Sequence, residues 1–107
     1  MIWSHYVAYF FGALFLTNAI PHFVSGTMGQ SFQSPFATPP GEGHSSAIVN
    51  VLWGAFNLAI AYLLLCRVGE FDLRNLGHAA VTGFAAVAGG SLLARSFGRF
   101  NGGNNPR

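Results

Sequence analysis

Two asparagines, Asn50 and Asn57, interrupt an otherwise apolar run from Ala47 to Cys66. Seven residues apart, they fall on one stripe of a helix, with Trp53 and Gly54 between them. A carboxamide turned towards hydrocarbon would leave its donors and acceptors unpaired, so this stripe should face protein or a wet cavity. Asn18 and His22, four apart, form a second polar pair on one helical face. With Trp53 and Arg95 these four are the candidate ligand-binding residues. Three kinds of chemistry are open to them. They could be hydrogen-bonding glue between helices, or line a path for a small solute with His22 as gate or proton relay. They could also form a site in which His22 is the acid/base and Arg95 or Asn50 holds an oxyanion. No residue is assigned a catalytic role.

Other signatures are missing. The stretch from Gly41 to Ser46 places glycines before a helix but lacks the lysine of a phosphate-binding loop. There is no GxSxG, no HExxH and no paired-carboxylate signature. The single cysteine, Cys66, excludes an internal disulfide and a CxxC site, and is expected to be a buried, inert thiol. His5 and His78 could be weighed as axial haem ligands, but nothing local orients them. No metal or cofactor is therefore expected.

The elements that must position these residues follow from composition. Of 107 residues, 51% are hydrophobic and 7% charged, where soluble domains average about 25% charged. That deficit points to a membrane protein in one compact unit. The five basic residues are all arginine and form no run, which is a poor footprint for nucleic acid. No acidic residue lies inside an apolar span, which weighs against a proton- or cation-coupled carrier.

Three spans are predicted, at about 2–20, 47–66 and 77–97. Trp3, Tyr6 and Tyr9 suit the membrane–water interface. No basic residue precedes the first apolar stretch, so it is read as a span and not as a cleaved signal. Pro21 should end or kink the first helix. The connection 23–46 carries Gly26, Gly29, Gly41 and Gly43 with Pro35, Pro39 and Pro40, interleaved with Phe32 and Phe36. Phenylalanines seek burial, so an ordered loop packed on the helix ends is expected. Ser45 or Ser46 should cap the second helix.

The turn 67–75 should be solvated. The third span is rich in small residues, among them Ala79, Gly83, Ala86, Gly89 and Gly90, spaced so that helix backbones can approach closely. It is expected to be the most tightly packed helix, within the chain or between copies. The tail 101–107 is expected to fray.

Three spans put the N-terminus and the turn 67–75 at one end, and the Gly/Pro loop and the C-terminus at the other. The loop end gathers Asn18, His22, Asn50, Glu42, His44, Ser91 and Arg95. Glu42 could pair with His44 or Arg95. Arg95, Arg99 and Arg107 at that end, against Arg67 and Arg74 at the other, lean towards a cytoplasmic C-terminus.

The run Phe11-Gly12 through Asn18-Ala19-Ile20-Pro21-His22-Phe23, followed by Gly26, resembles the end of the first helix in DoxX-like small bacterial multi-pass membrane proteins. The resemblance covers the first quarter of the chain. It implies a bacterial inner membrane and the company of quinone-linked oxidoreductases, beside which some of those proteins act, and it carries no catalytic residue across. The expectation from the whole sequence is an all-α membrane protein, a three-transmembrane-helix bundle with an ordered Gly/Pro/Phe-rich loop. Its partners would be the lipid bilayer and other membrane subunits or copies of itself. A non-catalytic accessory or assembly subunit is the leading functional expectation. A homo-oligomeric channel or transporter, and an enzyme on a lipid-like or quinoid substrate, are the alternatives.

Overall fold

The computed structural model describes residues 2–105. Its elements run α1 (Ile2–Thr27), β1 (Phe32–Gln33), β2 (His44–Ser45), α2 (Ala47–Cys66) and α3 (Leu76–Asn101). The segments Trp3–Thr27, Ala47–Cys66 and Leu76–Asn101 are each long and apolar enough to cross a membrane. Pro106 and Arg107, the latter among the arginines weighed for orientation, lie outside the described residues.

α1 is the centre of the bundle. It packs along both α2 and α3, which hardly touch one another. The closest approach is between α1 and α2, and glycines make it possible. A Cβ built on Gly54 would lie 2.8 Å from the backbone nitrogen of Phe23, and one on Gly26 would lie 2.6 Å from the Ala47 carbonyl oxygen. Neither position has room for a side chain, because the obstacle is backbone.

This contact explains why α1 outruns its expected end. The helix continues through Pro21 to Thr27. Proline removes one donor, but the turn beyond it carries His22, Phe23 and Gly26 onto α2, and that packing outweighs the lost bond.

α3 also departs from expectation. It is the least buried helix, with only Ala85 and Gly98 fully covered. Of its small residues, Gly89 lies beneath Leu14, Gly90 meets only the Thr17 methyl at 3.6 Å, and Gly83 faces nothing within 4 Å. Ala79, Gly83 and Ala86 line an open groove against α1 instead of a close seam. Small residues permit close approach but do not compel it; within this chain the tight seam is α1–α2.

The caps are local. Ser46 caps α2, its hydroxyl accepting from the Val49 N–H at 3.2 Å. Asn75 caps α3 by accepting from the His78 N–H at 3.2 Å. α3 runs four residues beyond its expected end, to Asn101, and closes on Gly102 at φ 83° in the left-handed region. The following residues do not simply fray: the Asn104 amide donates to the Arg95 carbonyl at 2.9 Å.

The α1–α2 connection contains a two-residue antiparallel pairing, Phe32 with Ser45 and Gln33 with His44. Gln33 and Ser34 are buried, Phe32 is half-buried, and Phe36 stays largely exposed, contrary to the burial expected of it. Cys66, expected to be buried, is exposed at the end of α2.

Candidate functional site

The hairpin, α1 and α2 converge on Asn50, which is fully buried. Its NH2 donates to the carbonyls of Phe32 and Ser45 at 3.2 Å and of Ser46 at 3.1 Å. Only the nitrogen end of the carboxamide can serve carbonyls, so Oδ1 is turned the other way, 2.8 Å from Nδ1 of His22. His22 therefore donates from Nδ1, and its other ring nitrogen is Nε2. That atom has no hydrogen-bond partner among the described residues.

The His22 ring lies edge-to-face against Phe32, Phe97 and Trp53, at centroid separations of 5.5, 5.8 and 6.3 Å. Trp53 contributes a second open group, a buried indole N–H without a partner. Among the described residues, the Trp53 indole N–H is thus the buried side-chain polar atom left without a partner.

One layer deeper, Asn18 donates to Asn57 Oδ1 at 3.1 Å, and Asn57 returns its own NH2 to the Trp53 carbonyl at 2.8 Å. A cavity of about 340 Å³ lies beside this pair, lined by Phe11, Leu14, Phe15, Asn18, Trp53 and Asn57. The two asparagines of α2 thus face α1, and the polar seam is closed mostly by its own members.

An interhelical side-chain bond in hydrocarbon is worth about 0.6 kcal/mol on average, with a ceiling of about 1.7. A double-mutant cycle of Asn18→Leu and Asn57→Leu, read by reversible unfolding in detergent, is expected to give coupling in that range. Additive single effects would show that the pair contributes nothing.

Arg95 does not join this seam. It is exposed on the outer side of α3 beside Leu92, Ser96 and Arg99. The register of α3 points it away from α1. His44 is likewise engaged elsewhere, through Ser31 Oγ at 2.9 Å and Gln33 Nε2 at 3.3 Å. Glu42 is exposed, and among the described residues it forms no ion pair with His44 or Arg95. An acid, a base and a cation therefore do not meet at one point.

Gln33 is the member that sequence reading missed. Buried beneath the hairpin, its Oε1 accepts from the Asn101 amide at 3.2 Å, tying the hairpin to the end of α3. A glutamine between Phe32 and Ser34 carries no signal of burial on its own.

A second polar cluster lies at the opposite end, also unforeseen as a unit. Tyr9 is only 1% exposed. It stacks edge-to-face with His78, Phe71 and Tyr6 at centroid separations of 4.8, 5.0 and 6.1 Å. The spacing of Tyr6 and Tyr9 on one helix was the legible part; their meeting with His78 and Phe71 needs the α2–α3 turn.

No protein-family model, curated protein or solved structure matches this chain.

Proposed function

We propose that the chain is a non-catalytic accessory or assembly subunit of a larger membrane complex, docking through α3. One observation carries this reading. Only 6% of the apolar window of α3 is covered within the chain, against 28% for α1 and 22% for α2. In lipid, exposed apolar area alone drives no association, but small residues allow a neighbouring helix to approach until its backbone packs. The open groove at Ala79, Gly83 and Ala86 supplies such a face. The seam of α1 and α2 supports the same reading, since its polar groups are mostly spent on each other and act as a rigid scaffold.

The channel alternative is less well supported, because Asn18, Asn50 and Asn57 pair internally instead of lining a path. The enzyme alternative lacks the convergence of Arg95 and Glu42 with His22. We place the protein in a bacterial inner membrane with its C-terminus cytoplasmic, following the arginines at the end of α3.

Gentle purification from the native membrane followed by native mass spectrometry tests the proposal. Other protein subunits at fixed stoichiometry are expected, and Gly83→Leu with Ala86→Leu should release them. A particle containing this chain alone would overturn it.

A further inference from the structure

The end of the bundle opposite His22 holds a cavity of about 590 Å³, lined chiefly by His5, Tyr6, Tyr9, Glu70, Asn75 and His78. It lies where α1 begins and where the turn joins α2 to α3, the level of the membrane interface when the three helices span a bilayer. Its floor is the buried Tyr9, whose hydroxyl has no hydrogen-bond partner among the described residues. Gly69 leaves room for that hydroxyl. A Cβ there would sit 2.5 Å from the phenolic oxygen and 2.7 Å from Nδ1 of His5.

The chemistry of the walls narrows the ligand. The backbone N–H of Asp72 donates to Nδ1 of His78 at 3.0 Å, so that nitrogen is occupied as an acceptor and only Nε2 can donate. Among the described residues, Glu70 is the only carboxylate lining the cavity. Arg67 and Arg74, on the same turn, do not line it. An anion would therefore meet a carboxylate with no arginine opposite. Among the described residues, no group of three His, Cys, Asp or Glu side chains could hold a metal. Electron-rich rings beside one carboxylate suit a cation. The unpaired phenol favours a cation that still has N–H groups to give.

We infer that this cavity binds a primary ammonium group, with Glu70 as counter-charge, the Tyr9 hydroxyl accepting one N–H, and the Tyr6 and His78 rings walling the cation. The group could belong to an ethanolamine phospholipid headgroup or to a small free amine. The site is separate from the docking face on α3 and does not depend on it.

The test uses the full chain in detergent, offered equal amounts of phosphatidylethanolamine, phosphatidylcholine and phosphatidylglycerol with identical acyl chains. Bound lipids are counted by native mass spectrometry. An exposed ion pair and a cation–π contact together predict about a fivefold preference for phosphatidylethanolamine over phosphatidylglycerol. Phosphatidylcholine should fall between them. Glu70→Gln, at an exposed position, should abolish the preference, while Glu42→Gln at the other end should leave it intact. In parallel, free ethanolamine is titrated while the NMR signals of Tyr9 and His78 are followed. Shifts without a lipid preference would assign the site to a soluble amine. A lipid preference would assign it to the headgroup. Neither effect, or a preference that survives Glu70→Gln, would overturn the inference.

Discussion

Replacing Asn50 by leucine is expected to be among the most damaging single changes in this chain. Leucine keeps the branching at Cγ but is bulkier, and it removes the hydrogen bond to His22 and those to the carbonyls of Phe32, Ser45 and Ser46. The Ser46 carbonyl still accepts the residue-50 backbone N–H, so its loss is small. The His22 N–H has no such reserve. Leaving buried groups unpaired costs about 1–3 kcal/mol each in water-soluble proteins, and rearrangement recovers part of it. A net loss of about 2–4 kcal/mol is therefore expected.

Asn57→Leu offers the internal comparison, since it removes chiefly the Asn18 bond and should cost no more than about 1.7 kcal/mol. Unfolding in detergent gives the ranking. Amide exchange over residues 32–45 should quicken in Asn50→Leu and not in Asn57→Leu, because Asn50 hydrogen-bonds the hairpin whereas Asn57 bonds Asn18 and Trp53. Equal costs for the two substitutions would refute this account of the seam.

The second large effect is expected at Gly26. A methyl group there would press on the Ala47 carbonyl oxygen at 2.6 Å and on the Val51 backbone nitrogen at 2.8 Å. Backbone cannot rotate away as a side chain can, so α1 and α2 must separate locally. Overpacking of this kind costs about 1–3 kcal/mol, and the upper part of that range applies where the obstacle is main chain. Separation would also loosen His22 from Asn50, since both lie within four residues of the contact.

Gly83→Ala makes the contrast. With nothing within 4 Å of its Cβ, alanine should be neutral, or stabilising by up to about 1 kcal/mol through helix propensity. If Gly83→Ala proved more costly than Gly26→Ala, α3 and not α2 would be the tight partner of α1.

The polar stripe was legible because a carboxamide in an apolar run has few tolerable surroundings. Asn50 and Asn57 had to face protein, and Asn18 and His22 share a helical face at the matching end. Their pairing across α1 and α2 follows from an antiparallel hairpin of two helices. Arg95 was harder to place. An arginine near a helix end can snorkel or turn inward, and helical spacing does not distinguish the two. The Tyr9 cluster was illegible as a site because its parts come from residues 5–9 and 69–78, brought together only when the turn folds against the start of α1.

What the sequence determined by itself was therefore the set of elements. Three helices long and apolar enough for a membrane, the serine cap of α2 and the inward-facing asparagines all follow from local composition and period. Their energetics depend on the residue and its immediate neighbours, so a single chain suffices to read them.

What only the tertiary structure decided was which surfaces meet. Gly26 and Gly54, with no small residue four positions away, became a close contact, whereas Gly83 and Gly90, which the small-residue spacing singles out, did not. Pro21 stayed inside a helix because packing beyond it outweighed one lost bond. Close approach is a property of two surfaces together, and the shape of the second surface is not written in the local sequence of the first.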